Sequence, residues 1–83
     1  MNPGEPRVKE MLETLVKAFV DDPAAVTVVE VRKSEVTVLE LRVAPEDLGK
    51  VIGRQGRTAR ALRAIVSVAG EKIQRRCLLQ ILE

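Results

Sequence analysis

Pro45-Glu46-Asp47-Leu48-Gly49-Lys50-Val51-Ile52-Gly53-Arg54-Gln55-Gly56-Arg57 reads as a short helix, a break bounded by two glycines, and the start of a second helix. Proline and two acids suit a first helical turn: proline has no N–H to leave unpaired there, and acids favour the positive helix end. The first helix is expected to run to about Val51. Gly53 and Gly56 then make a tight connection, spaced by Arg54 and Gln55.

Such a connection suits an anion. Side chains obstruct the approach of a phosphate to peptide N–H groups, and glycine removes the obstruction. The helix that follows offers unpaired N–H donors and a partial positive charge at its start. Lys50, Arg54 and Arg57 add full charges beside it. Arg60 and Arg63 continue from Arg57 in three-residue steps. Arginine fits because its planar fork can bridge phosphate oxygens.

On the N-terminal side, Val8, Leu12, Leu15 and Phe19 recur at helical spacing, with Met11 and Val16 widening the stripe. Asp21-Asp22-Pro23 ends that helix. Residues 25–33 and 35–44 are dense in valine and read as two strands, joined at Lys33-Ser34-Glu35. In the second, Leu39, Leu41 and Val43 alternate with Glu40 and Arg42, so one face is buried. On the C-terminal side, Thr58, Ala61, Leu62, Ile65 and Ala69 share one side of a helix that Gly70 is placed to end. Residues 75–82 read as a last strand. Cys77, Leu79 and Ile81 are expected to point inward; Leu78 and Leu82 would then point outward with Val36 and Val38, as a modest apolar patch or an ordinary mixed surface. The order is α-β-β-α-α-β, which predicts a two-layer α+β domain with three helices on one face of a three-stranded sheet.

Composition bounds the function. At 83 residues, 46% hydrophobic and 31% charged, the chain can build one core and no second. Residues 1–6 are expected to be a disordered tail and residues 7–83 the single domain. No apolar run approaches the roughly 20 residues of a membrane helix, and the first residues do not resemble a secretory signal. With its single cysteine, the chain is expected to be cytoplasmic, without membrane contact. The net charge of +2 hides an asymmetry. Residues 1–49 carry six basic and ten acidic groups, net −4, and residues 50–83 eight basic and two acidic, net +6. That is the pattern of a domain that turns one part toward a polyanion, or of a dipolar surface without function.

The segment Pro45 to Arg57 resembles the KH domain, whose Gly-X-X-Gly loop joins two helices and clamps about four nucleotides. The element order resembles the bacterial type II arrangement, and in length and in this segment the chain is similar to the small stand-alone KH proteins of the KhpA family. The resemblance implies single-stranded RNA as ligand. It implies that Gly53, Arg54, Gln55 and Gly56 clamp the backbone, with Val51 and Ile52 beside an apolar groove. The helix from Arg57 would form one wall of that groove and the second strand, around Leu39 to Val43, the other. Lys50, Arg57, Arg60 and Gly49 complete the expected RNA-binding set. With no Trp or Tyr, stacking worth about 1–3 kcal/mol per base is missing, so weak binding and a second linked site are expected. The family implies a partner, either a second copy or a KhpB-like KH protein, and RNA-chaperone-like control of expression affecting cell shape and division.

Blander readings stand beside these. The two glycines are also compatible with a helix cap and a turn, and Arg60 and Arg63 with a solvated helix face. Gly49 suits either close helix packing or ligand approach. Cys77 behaves as a small apolar strand residue. There is no His, no metal-ligand cluster and no nucleophile–base pair, so no enzyme, metal, cofactor or small-molecule substrate is expected. The spacing is neither a P-loop nor Gly-X-Gly-X-X-Gly. The alternative to an RNA binder is a protein-interaction or dimerisation module, or a ribosome-associated assembly factor with little RNA specificity of its own.

Overall fold

The computed structural model describes residues 5–83, with side chains from Val8 onward. Residues 1–4, the greater part of the expected tail, lie outside the described residues. The order is α1 (Glu5–Lys17), β1 (Thr27–Arg32), β2 (Val36–Arg42), α2 (Leu48–Ile52), α3 (Arg57–Lys72) and β3 (Arg76–Ile81), with 3-10 turns at Pro23–Ala25, Pro45–Asp47 and Arg54–Gly56. This is the expected α+β arrangement of a type II KH domain.

The sheet order is β1-β2-β3. β1 and β2 form an antiparallel hairpin, closed by the Lys33 N–H on the Val36 carbonyl at 2.8 Å. β3 runs parallel to β2. A parallel neighbour needs a crossover, and α2 and α3 provide it. The alternation read for β2 holds: Thr37, Leu39 and Leu41 are buried, with Val36, Val38 and Glu40 between them less so. On β3, Cys77 and Leu79 point inward, as expected. Leu78 is exposed beside Val38, its register partner, and Leu82 is half-buried. Arg75 ties the start of β3 to the hairpin: its Nε donates to Thr37 Oγ1 and its guanidinium to the Lys33 carbonyl, both at 3.0 Å.

Three details of the helices differ from the sequence reading. First, the buried stripe of α1 is Val8, Leu12 and Val16, continued by Val20 beyond the helix. Leu15 is half-buried and Phe19 is 37% exposed. The helix ends at Lys17, where Phe19 N–H and Val20 N–H both reach the Val16 carbonyl. The chain therefore unwinds before Phe19 can complete the stripe, and Val20 turns inward instead.

Second, α3 buries Ala59, Leu62 and Val66, not Thr58, Ala61 and Ile65. Small and apolar residues cover more than half the circumference of this helix, so periodicity permits several faces. The sheet selects the one with Leu62 and Val66 at its centre.

Third, Gly70 does not end α3. The helix continues to Lys72 and Gly70 is buried within it. A Cβ there would stand 2.6 Å from the Arg75 carbonyl oxygen and 2.9 Å from Cys77 Sγ. The helix actually ends on a Schellman motif with Gln74 in the left-handed position at φ +60°. Arg75 N–H bonds the Gly70 carbonyl at 2.8 Å and Gln74 N–H the Glu71 carbonyl at 3.0 Å. Gly70 is therefore glycine because the chain folds straight back over it.

Candidate nucleic-acid interface

Gly53 takes φ +78° and ψ +170°, a backbone region open essentially only to glycine. A Cβ at this position would collide with Thr58 Oγ1 and sit 2.8 Å from the Thr58 amide nitrogen. Gly56 is left-handed, at φ +75°. Between them Gln55 is also left-handed, at φ +57° and ψ +26°. The loop is closed by Gly53 N–H on the Gly49 carbonyl at 2.8 Å and Gly56 N–H on the Gly53 carbonyl at 3.0 Å. Among the described residues, no turn or cap bond uses the N–H of Arg54 or Gln55. No side chain caps α3, and its first turn has no acid. The positive end of α3 is thus left without a side-chain or acidic partner beside the loop.

Beside this loop lies a groove of about 310 Å³ lined by Leu48, Ile52, Gly56, Ala59, Arg60, Arg63, Ile81 and Glu83. Its apolar floor comes from α2, α3 and β3. The expected wall of Leu39 to Val43 is not there. β2 is the central strand, hydrogen-bonded on both sides, so it cannot border a cleft at the sheet edge. β3 is an edge strand and does so through Ile81.

The expected site residues separate accordingly. Ile52 is 39% exposed and lines the groove, whereas Val51 is 0% exposed and belongs to the core. Adjacent residues on a helix face different ways, and the core takes the first of this pair. Arg54, Gln55 and Arg57 are exposed at the loop. Arg60 lines the groove and reaches back over Gly56, its Nη1 3.5 Å from where a Gly56 Cβ would stand. Lys50 is engaged, its Nζ 3.5 Å from the Asp21 carboxylate. Both partners are solvent-exposed, and such a pair is worth at most about 1 kcal/mol. Gly49 is exposed with no atom within 4 Å of an added Cβ, so close helix packing does not explain it.

Sequence reading missed Leu48, Ala59, Ile81 and Glu83 as groove residues. Leu48 was available in principle, since it precedes Ile52 by four residues on one helix face. Asp47, read as a helix-start acid, does sit at the start of α2, but it has a further role that the sequence did not show. Asp47 is 0% exposed, and its carboxylate accepts the Asp21 N–H at 3.1 Å and the Asp22 N–H at 3.0 Å. It pins the middle of the α1–β1 connection to the base of α2. Among the described residues, no helix is long and apolar enough to cross a membrane, and no group of His, Cys, Asp and Glu is placed to hold a metal ion.

Comparison with known proteins is consistent with this geometry. The family model described as KhpA/KhpB, KH domain matches residues 9–81. The RNA-binding protein KhpA of Clostridium acetobutylicum is 47% identical over 75 residues, covering 90% of this chain and 100% of the relative. That of Aquifex aeolicus is 49% identical over 76 residues, covering 92% and 96%. That of Streptomyces coelicolor is 56% identical over 63 residues, covering 76% and 80%. Among solved structures, Aquifex aeolicus Era bound to GDP.AlF4- matches with a TM-score of 0.66 at 13% identity. The match covers 90% of this chain and 29% of Era, and it bears on the fold alone. With the family model spanning nearly all of the described residues, the chain belongs to the KhpA/KhpB family of KH domains.

Proposed function

We propose that this protein binds single-stranded RNA, holding the backbone on the loop Gly53 to Gly56 and laying bases in the groove beside it. The observation that carries this reading is the loop itself. Two positive-φ glycines shape a tight turn at the start of α3, which has no side-chain cap, with Arg54, Arg57 and Arg60 beside it. Leu48, Ile52, Ala59 and Ile81 offer bases an apolar surface. Lys50 can exchange Asp21 for a phosphate at small cost, because the pair is exposed. The RNA-binding names of the KhpA relatives support the same reading. In this reading the protein is a binding module, not a catalyst, and acts in the cytoplasm as an RNA chaperone or post-transcriptional regulator influencing cell shape or division.

One small groove without stacking aromatics binds weakly, so pairing with a second copy or a KhpB-like KH protein belongs to the proposal. Met11, Ala64, Ile65, Val68 and Ala69 support it by forming an apolar hollow of about 330 Å³, with Val68 65% exposed. The same hollow favours the second reading, a protein-interaction module whose loop no longer binds RNA.

The test is the double substitution Arg54→Asp, Gln55→Asp. Both side chains are exposed, so melting and circular dichroism should stay near the parent. RNA retention should be lost. Binding by the parent should weaken with salt at a slope of about −0.7 per neutralised phosphate. Unchanged RNA binding in the double variant discards the proposal; a partner complex that survives it, with no RNA crosslinked to the parent, establishes the second reading.

A further inference from the structure

We infer that the RNA strand does not end in the loop groove but continues into a second cleft between α3 and β3, where Arg63 and Arg76 receive its phosphates. This inference rests on the RNA reading of the loop. The second cleft, about 470 Å³, is lined by Arg63, Ser67, Arg76, Cys77, Leu78 and Leu79. Arg63 lines both clefts, so the two meet at its side chain. Arg60, Arg63 and Ser67 follow one another at steps of three and four, which keeps them on one helix face. From Gly56 to Ser67 the helix advances about 16 Å, well beyond the loop.

The chemistry of this cleft suits a nucleic-acid strand. No acid lines it, whereas Glu83 lines the first. Among the described residues, no side-chain hydrogen bond or ion pair engages the guanidinium of Arg63 or of Arg76. The contrast with Arg75 is informative. Arg75 is committed to Thr37 and Lys33, while Arg76, next in sequence, stays exposed at the cleft with its charge uncompensated. Leu78 is 45% exposed and gives a base an apolar surface, and the Ser67 hydroxyl can donate or accept. β3 pairs only with β2, so its outer edge has no strand partner, and an edge strand can meet the hydrogen-bonding edges of bases.

The experiment compares a four-nucleotide RNA, matching the loop groove alone, with one about twice as long. Anisotropy titrations use the full chain, the Arg76→Glu variant, and the loop pair Arg54→Asp, Gln55→Asp. The parent should bind the longer RNA more tightly. Arg76→Glu should weaken the longer RNA about tenfold, the loss of one charge-assisted contact, and lower its salt slope by about 0.7. The tetranucleotide should change less than about twofold. Arg76→Gln, which removes the charge without reversing it, should fall between parent and Arg76→Glu. If the longer RNA binds no better than the tetranucleotide, or Arg76→Glu affects both equally, the second cleft is refuted while the loop reading stands. A tetranucleotide indifferent to the loop pair refutes both.

Discussion

Replacing Gly70 with alanine sets two effects of opposite sign against each other. In an ordinary helix interior the change stabilises by up to about 1 kcal/mol, because alanine loses less conformational freedom on folding. Gly70 lies inside α3, so propensity alone predicts a gain. The structure predicts a loss. The new Cβ would stand 2.6 Å from the Arg75 carbonyl oxygen and 2.9 Å from Cys77 Sγ, and the first of these is backbone with no rotamer to move. Overpacking of this kind costs about 1–3 kcal/mol. Pushing the chain away also strains the bonds from Arg75 N–H to the Gly70 carbonyl and from Gln74 N–H to the Glu71 carbonyl, each worth about 1 kcal/mol. The net is a destabilisation of about 2 kcal/mol, or a Tm lower by about 8–16 °C for a domain of this size. Gly49→Ala is the control. It too is helical, but nothing lies within 4 Å of its Cβ, so it should gain about 0.5–1 kcal/mol. Urea and thermal unfolding of the two variants read the difference directly. If Gly70→Ala melts at or above the parent, the account of the α3–β3 junction is wrong.

Gln74→Gly should raise stability by about 0.5–1 kcal/mol in urea unfolding, because a left-handed residue with a Cβ is relieved at the Schellman position. Asp47→Ala should cost about 2–3 kcal/mol by thermal melting, since two N–H groups lose a buried carboxylate partner. Asp47→Asn, which keeps one acceptor oxygen, should cost less. Ile52→Ala should weaken RNA binding in titrations while moving Tm by only a few degrees, and Val51→Ala should lower Tm strongly, because the first side chain is at the groove and the second in the core.

Local signals carried much of this protein's architecture. The valine-dense runs, the alternation of Leu39, Leu41 and Val43 with charges, and the helical stripes place every element to within a few residues. The Gly53 and Gly56 pair, set between two helical patterns, also marks the loop, because the φ +78°, ψ +170° backbone of Gly53 is open essentially only to glycine and the left-handed Gly56 favours it, both through local sterics. What remained hidden depends on which surfaces meet. α1 could bury Leu15 and Phe19 or Val16 and Val20, and only the point where the helix unwinds selects the latter. α3 has apolar residues on most of its circumference, so its contact face awaits the sheet. Asp47 looks like any acid at a helix start until residues 21 and 22, distant in sequence, arrive above its carboxylate. The groove is bordered by β3 and not β2 because strand order, which leaves β2 in the middle, is a property of the assembled sheet. Periodicity and glycine placement act over a few residues and can be read along the chain; facing partners are set by packing between distant segments, and they exist only once the chain has folded.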